Sequence, residues 1–528
     1  MLRGKKDVLI NPITFNSWQY PFFLLPVLMV YWLLPHRTRI FLLILASYVF
    51  YGIWDPRFPA LLLVPTIVDF FGANAIDGRK MASWKMILSS ALPLLWLVIC
   101  AGTGLSQIPS GALIAASLFV LLLTIVHSLL WLLQEEIRRK AFVVFSIATN
   151  LTILGFFKYF NFFADSTKSL LTNMGFHAGW VLPHIILPVG ISFYTFQTLA
   201  YVIDVYRRQQ KACIDLPTYA LYLSFFPQIL AGPIGRAPQL MPQWQEQKIF
   251  SPVYLHDGAR LILIGLFKKI FVADSCALLA NACFDAKEPL GVAWSVVGAL
   301  AFTFQIYGDF SGYTDMARGS AKLFGIDLMI NFRFPYRAKT PAEFWRRWHI
   351  SLSSWFRDYL YIPLGGNRLS QNRMFLNLMI TMLLAGLWHG AGNMFIVWGA
   401  YYGLLLILFR SIPALKNLGK KGWLSILVTF VLTIFGWAIF RSPDAHGLMQ
   451  WAAGFLKISS ELPWLGPALW LVIHVVPLGL LQYLTRKKED ESELTHLAWP
   501  VRGVVYLLIF LLTVSTSAQD QEFIYFQF

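Results

Sequence analysis

Charged residues are scarce in this sequence. Asp, Glu, Lys and Arg together make up 13% of the 528 residues, against about 25% in an ordinary soluble domain. Hydrophobic residues make up 57%, and the mean hydropathy is +0.59. This composition excludes a typical soluble globular domain and predicts a polytopic membrane protein.

Acidic residues are scarcer than basic ones: 27 Asp and Glu stand against 43 Lys and Arg, which gives a formal net charge of +16. The basic residues fall in short gaps between apolar runs, as the positive-inside rule predicts. We therefore assign the excess charge first to contacts with anionic membrane lipids, with acidic polymers or acyl donors as further partners, and expect no nucleic-acid partner. The gaps at residues 138–140, 207–211, 268–269 and 486–488 are predicted to be cytoplasmic edges.

Several motifs of other protein classes are also missing. The four cysteines (Cys100, Cys213, Cys276 and Cys283) form no CxxC motif and no zinc-ligand spacing, so we interpret them as buried and reduced. No HExxH motif is present, and we expect no metal site. The lack of GxSxG weighs against a serine hydrolase. The basic start, residues 1–7, precedes an apolar run without a small-residue cleavage site, so we expect no cleaved signal peptide.

The apolar runs suffice for roughly 10–12 membrane crossings and one or two re-entrant segments. Because the runs lack the alternation of β-barrel strands, we predict an all-α polytopic membrane protein. The lack of an internal repeat weighs against a transporter built from inverted halves. We expect a single membrane domain with N-terminal helices at 18–180, a core at 181–440, and C-terminal helices with an aromatic tail at 441–528.

One part of the core, residues 308–373, is too polar for a membrane span and too long for an ordinary loop. We predict that this insert is functional and lies partly on the cytoplasmic side. Inside it, Thr340 is a good N-cap, Pro341 fits the first turn and Glu343 lies at the third position. These residues predict a helix that begins with a capping box.

That predicted helix contains the stretch FWRRWHIS at residues 344–351. On a helical wheel, His349 falls at the boundary between an aromatic stripe that includes Trp345 and a basic face that includes Arg346 and Arg357. Such a helix would lie along the membrane interface. Spacing alone leaves two interpretations open: the aromatic and basic residues anchor the helix and His349 has no role, or His349 is a functional group.

A second histidine lies within residues 374–409, a run without Asp, Glu, Lys or Arg. As one helix this run would measure ~54 Å, too long for a single span, so we predict a break where Gly390 and Gly392 permit a turn. His389 then lies at broken backbone in the apolar zone and is a functional candidate. The alternative is a core histidine bonded to a neighbouring carbonyl. A neutral, buried histidine suits a general base that activates a hydroxyl.

Upstream of the insert's helix lies a polar cluster of Asp309, Ser311, Tyr313, Asp315 and Arg318. The two carboxylates are expected to neutralise the basic helix that contains Arg346 and Arg357 or to orient a histidine, with salt bridging as the favoured role of Asp315. Small residues that permit close helix approach accompany the cluster at Gly308, Gly312 and Gly319.

Four stretches together resemble the membrane-bound O-acyltransferase (MBOAT) family: FPQILAGPIGR, YGDFSGYTDMARGSAKLFGI, FWRRWHISLSSWFRDYLYIPLGGNR and LAGLWHGAGNMFIVWGAYYG. More narrowly they resemble the bacterial branch that includes the alginate O-acetylation membrane protein, and the tail EFIYFQF is similar to that branch's aromatic ending. These motifs cover residues 182–440. The resemblance implies a ring of helices around a funnel-shaped centre, with His349 and His389 facing a channel.

The resemblance further implies an O-acyltransferase of the bacterial inner membrane with His389 and His349 as its catalytic residues. Acetyl-CoA would be the cytoplasmic donor, with no bound cofactor. The acyl group would pass to a periplasmic SGNH-type partner, which esterifies alginate or a similar polymer made by the polysaccharide synthesis machinery. The candidate substrate- and donor-binding residues are Arg346, Arg347, Arg357, Trp345, Asp309, Ser311, Tyr313, Asn393 and Trp388.

Two alternatives remain open from the residues. A non-catalytic exporter would use the histidines for gating or proton relay and needs a charged path through several spans. A scaffold that recruits a soluble acetyltransferase would tolerate loss of both histidines.

Overall fold

The computed structural model of the protein describes residues 12–106, 108–176, 185–230, 232–458, 463–516 and 521–526. The basic start at residues 1–7, on which the signal-peptide expectation depends, lies outside the described residues, as do the last two residues of the aromatic tail. Across the described residues all regular secondary structure is helical, which confirms the predicted all-α class.

The structure contains the following α-helices in chain order, with short π-helical and 3-10 turns between some of them. They are α1 Gln19–Leu33, α2 His36–Trp54, α3 Phe58–Ile76, α4 Ser83–Gly102, α5 Ser110–Leu130, α6 Glu135–Asn173, α7 Ile191–Tyr206, α8 Leu216–Ser224, α9 Phe226–Ile229, α10 Ala237–Gln245, α11 Pro252–Leu266, α12 Ser275–Phe284, α13 Val292–Leu323, α14 Pro341–Arg347, α15 Ile350–Phe356, α16 Gln371–His389, α17 Asn393–Ser411, α18 Pro413–Leu418, α19 Trp423–Arg441, α20 Ala445–Ala453, α21 Leu465–Thr485 and α22 Trp499–Ser515. The π-helical turns are Phe267–Asp274 and Arg357–Tyr361, and the 3-10 turns are Pro335–Arg337, Gly454–Leu456 and Ile524–Phe526.

Many of these helices are suited to a bilayer. Among the described residues, 8 helices are long and apolar enough to cross a membrane: α2 to α6, α17, α19 and α21. Two shorter apolar helices, α1 and α22, accompany them. The chain is therefore a multi-pass membrane protein, and the expected count of crossings stays a prediction.

The chain divides into two compact units. Unit 1 contains Met1–Tyr254 and Ser320–Leu328, and unit 2 contains Leu255–Gly319 and Met329–Phe528. The predicted three-part division of one membrane domain stays a prediction.

Unit 1 is built around α3, of which 83% of the spanning window is buried, against 17% for α4. The fully buried carboxylate of Asp69 lies on this helix. It accepts hydrogen bonds from the Ser146 and Thr198 hydroxyls and from Asn150 Nδ2 at 2.8 Å. Because neutral donors satisfy it locally, Asp69 forms a structural polar node, which does not favour the charged path of an exporter.

Unit 2 contains the long helix α13. The polar insert that is predicted to begin at residue 308 starts inside this helix, which continues to Leu323. The helix persists because its small residues face backbone: a Cβ at Gly312 would lie 2.7 Å from the Gly265 carbonyl oxygen. A Cβ at Gly308 would lie equally close to the Lys268 carbonyl oxygen. The predicted close helix approach is therefore confirmed.

All four cysteines are free thiols. Cys100, Cys276 and Cys283 are buried as predicted, whereas Cys213 is only partly buried. Its Sγ lies 3.3 Å from the carbonyl oxygen of Asp215, at the start of α8.

Candidate active site

His389 lies at the end of α16, and α17 begins at Asn393, so the predicted helix break is confirmed. Gly390 has extended backbone, with φ at −164°, which any residue adopts. What this glycine supplies is space, because a Cβ there would lie 2.0 Å from the Phe395 ring. A Cβ at Gly386 would lie 2.1 Å from the carbonyl oxygen of Phe395. Small residues thus let the two helices pack tightly and fix the position of the buried His389.

The helix predicted through His349 is wrong in one respect, because it is broken at the histidine. α14 ends at Arg347 and α15 begins at Ile350, while His349 has left-handed backbone with φ at 43°. Asn331 holds the break: its carbonyl oxygen accepts from the Ile350 N–H at 3.0 Å, and its Oδ1 accepts from the Ser351 N–H at 3.1 Å. A left-handed non-glycine residue is strained, and such strain concentrates at functional sites.

The start of α14 agrees with the prediction only in part. Thr340 Oγ1 accepts from the Glu343 N–H at 3.1 Å, so the N-cap is confirmed. The Glu343 carboxylate accepts instead from the Lys339 N–H at 2.8 Å, so the capping box does not close on Thr340. Because the helix ends before His349, the wheel that placed this residue at the boundary of two faces does not apply. His349 is 0% exposed.

The tryptophans of the FWRRWHIS stretch pack inside unit 2. Trp348 is 1% exposed and its ring lies 4.7 Å from that of Trp437. The half-buried Trp345 ring lies 4.9 Å from Tyr402. The burial of Trp348 contradicts its interpretation as a membrane-interface anchor, whereas that interpretation stays a prediction for the half-buried Trp345.

The two histidines meet at one aromatic cluster, whose central member is Tyr525 from the C-terminal tail. The Tyr525 ring centroid lies 5.7 Å from that of His389 and 6.4 Å from that of His349. Trp388 also contacts both, at 5.0 Å from His389 and 6.0 Å from His349. Phe310 lies 4.6 Å from His349 and 4.5 Å from Tyr525. The Tyr525 ring therefore lies close to both imidazole rings.

The tail, defined here as residues 521–526, is held by backbone bonds as well as rings. The Ile524 N–H donates to Asp309 Oδ2 at 2.7 Å. The Phe523 ring stacks on Tyr313 at 4.1 Å. Lys269 Nζ donates to the Gln521 carbonyl oxygen at 2.6 Å. Two residues predicted for the site, Asp309 and Tyr313, thus act on the tail, whose role the sequence reasoning missed.

Lys268 and Lys269, which are predicted to lie at a cytoplasmic edge, are buried, at 2% and 1% exposure. Lys269 Nζ lies 2.6 Å from Asp274 and 2.9 Å from Asp309. Lys268 Nζ lies 2.8 Å from Asp315, which confirms the salt-bridging role predicted for that carboxylate. Both lysines lie on the π-helical turn Phe267–Asp274. Its wider winding places two consecutive side chains in the interior.

The predicted basic residues differ in their surroundings. Arg347 pairs with Glu343 at 2.7 Å, and Arg357 pairs with Asp358 at 2.7 Å. Arg346 is exposed at the end of α14.

The other predicted site residues lie in different places. Trp388 lies in the histidine cluster, and Ser311 is buried on α13 beside Phe310. Asn393 is exposed at the start of α17.

Burial sets the electrostatics of the cluster. Loss of hydration lowers the pKa of His349 to about 3, so its imidazole is neutral at physiological pH. Burial, and secondly the Asp309 carboxylate, raise the pKa of Tyr525 well above its usual value. The phenol therefore stays protonated unless a base removes its proton.

These features define a class: a multi-pass helical membrane protein with two buried histidines and a phenol at one site. The family model of the membrane-bound O-acyltransferases matches residues 207–442, which include both histidines. The chain is 34% identical to a probable alginate O-acetylase AlgI of Pseudomonas putida, over 98% of this chain and 100% of that protein. It is 37% identical to the corresponding protein of Pseudomonas aeruginosa, over 82% of this chain and 72% of that protein.

A third relative, a peptidoglycan O-acetyltransferase of Helicobacter pylori, is 34% identical over 62% of this chain and 66% of that protein. The chain belongs to the membrane-bound O-acyltransferase family. It is accordingly a membrane O-acyltransferase. This family membership argues against the two alternatives, a non-catalytic exporter and a scaffold.

Proposed function

We propose that this protein transfers an acetyl group from a cytoplasmic thioester, acetyl-CoA, across the bacterial inner membrane for O-acetylation of an extracytoplasmic polysaccharide. The observation that carries the proposal is the meeting of His349, His389 and Tyr525 in one aromatic cluster, in which both histidines are buried. Such a site contains the parts that acyl transfer needs: a base, a hydroxyl, and a second polar group near the reacting carbonyl. The alginate-related names of the relatives favour alginate or a similar polymer as final acceptor.

In the proposed first step, His389 accepts the phenolic proton of Tyr525 as the phenol oxygen attacks the thioester carbonyl. The C–S bond breaks, the imidazolium returns its proton to the leaving thiolate, and Tyr525 becomes an aryl acetate. The half-buried Tyr525 phenol needs an adjacent base for this role, because a neutral phenol is a weak nucleophile. An aryl ester is itself an activated acyl group, so it can pass the acetyl on to an aliphatic hydroxyl.

His349 is proposed to orient the reacting groups or to stabilise the oxyanion of the tetrahedral intermediate. Its neutral imidazole retains one N–H donor, which is the form suited to this task. Arg346, Arg347 and Arg357 are proposed to contact the phosphates of the donor. Arg346 is the strongest of these candidates because the other two already pair with carboxylates.

The acceptor of the second step is proposed to be a periplasmic SGNH-type partner, which then esterifies the polymer. This relay rests on the family resemblance. It is consistent with a site whose own acceptor group is carried on a tail after the last described apolar helix, α22.

The test is acetyl transfer in membrane vesicles supplied with radiolabelled acetyl-CoA. His389→Ala and His349→Ala should each lower transfer by about 10²–10⁴-fold, the usual contribution of a general acid–base group. His446→Ala is the matched control, because this exposed histidine of α20 contacts only Gln450 among its described polar neighbours. Near-normal transfer by correctly inserted His389→Ala protein would exclude His389 as the general base. It would favour the alternative that the protein is a scaffold for a soluble acetyltransferase.

A further inference from the structure

A cavity in unit 1 lies away from the histidine cluster and has a different chemistry. Its volume is about 220 Å³, and its lining includes Arg79, Lys80, His127, Trp131 and Met86. The lining contains two cations and no acidic residue. A smaller apolar cavity shares Met86 and His127 with it and continues between the α3, α4 and α5 side chains.

The cavity lies where several candidate spans end together. Its lining residues follow the end of α3, begin α4 and end α5. The His127 ring also lies 4.8 Å from that of Phe142 on α6. A place shared by the ends of consecutive spans is at headgroup depth. The adjacent basic gap at residues 138–140 is one of those predicted to face the cytoplasm.

The polar groups at the cavity favour an anion. Lys80 is exposed and has no carboxylate within salt-bridge distance among the described residues. Arg79 has Asp77 at 3.3 Å. The Arg138 guanidinium lies 4.8 Å from the Trp131 ring centroid and adds a further cation nearby.

His127 adds a neutral donor to these cations. The Trp131 indole N–H donates to His127 Nε2 at 3.4 Å, so the neutral ring carries its proton on Nδ1. The cavity lining therefore combines two cations with a histidine ring.

The surroundings of the cavity are those of a lipid. Leu132 on its rim is 82% exposed, and the neighbouring Leu129 is 56% exposed. On α4, Leu88 is 62% exposed. Exposed apolar faces beside a cationic cavity fit acyl chains beside a phosphate, whereas a soluble phosphate compound would leave those faces unused.

We propose that this cavity binds the phosphate headgroup of an anionic phospholipid of the cytoplasmic leaflet. Lys80 and Arg79 contact the phosphate, and the acyl chains lie along α4 and α5. The site is independent of acyl transfer and gives unit 1 a preference for anionic membrane.

The test is native mass spectrometry of the detergent-purified full chain titrated with phosphatidylglycerol or phosphatidylcholine. Phosphatidylglycerol should bind more tightly. Lys80→Gln should weaken its binding by about five-fold, as expected for one basic residue near an anionic headgroup. Ser128→Phe should also weaken binding, because this exposed residue lines the cavity and the larger side chain fills it without changing charge.

Lys168→Gln is the control, because it removes the same charge from an exposed lysine of α6 that lies outside the cavity and outside the predicted cytoplasmic edges. Equal affinity of wild type and Lys80→Gln for phosphatidylglycerol would overturn the proposal, as would equal affinity of wild type for the two lipids. Competition by glycerol 3-phosphate at concentrations matched to the lipid would assign the cavity to a soluble phosphate compound instead.

Discussion

Replacing Tyr525 by phenylalanine separates the chemistry of the tail from its packing. The ring contacts with Phe310 at 4.5 Å and His389 at 5.7 Å remain, and so does the Ile524 bond to Asp309. Only the hydroxyl is lost, so stability should change by no more than about 0.5–1.5 kcal/mol, the worth of one hydrogen bond. If the phenol is the first acyl acceptor, transfer to polymer should fall to background.

The assay has two parts. Thermal unfolding of the purified protein should show nearly the wild-type midpoint for Tyr525→Phe. Membrane vesicles with radiolabelled acetyl-CoA should label the wild-type chain transiently, and the label should be absent from the variant. Tyr401→Phe is the matched control, because this hydroxyl is bonded to the Leu432 carbonyl oxygen at 2.7 Å and lies outside the cluster. Retention of more than a tenth of wild-type transfer by Tyr525→Phe would refute the covalent role.

Three further outcomes are expected. Gly390→Ala should destabilise the α16–α17 hairpin by about 1–3 kcal/mol through overpacking against Phe395; Gly392→Ala, where the nearest atom is 3.5 Å away, should not, and equal melting midpoints would contradict the steric argument. Burial holds the pKa of His349 near 3 in the folded protein, whereas a solvated histidine in the unfolded chain has a pKa of about 6.5. Between these two pH values the unfolded chain therefore binds one more proton than the folded protein. Stability should then fall by about 1.4 kcal/mol per pH unit as pH drops from 6.5 towards 3; an unchanged acid slope of unfolding in His349→Gln would argue against this. Arg346→Gln should raise KM for acetyl-CoA with little change in kcat, and an unaltered KM would remove this residue from the donor site.

The sequence was a good guide where composition and spacing act locally. The charge-free run around His389 was too long for one helix, and the structure breaks it at the predicted position. The Thr340 N-cap was also correct, because capping depends on residues three positions apart.

Prediction from the sequence was wrong or incomplete where contacts between distant parts of the chain determine the backbone conformation. The break at His349 depends on Asn331, which lies on a different part of the chain. A helical wheel assumes continuous helix, so it could not detect this break. Tyr525 was missed for the same reason. Its aromatic neighbours at Phe523 and Phe526 were the available signal, since a tail of such composition is unsuited to water.

The two buried lysines connect these observations. Burying ion pairs is unfavourable unless the charges are well paired, and replacing such pairs by apolar residues is often no less stable. A contribution to folding stability therefore explains the Lys269 pairs with Asp274 and Asp309 only weakly. Positioning of the tail explains them better, because Lys269 also binds the Gln521 carbonyl oxygen while Asp309 accepts from the Ile524 N–H. The same ion network thus fixes the tail backbone on both sides of Phe523. Because Tyr525 follows directly, the network also sets where its phenol lies relative to the two histidines.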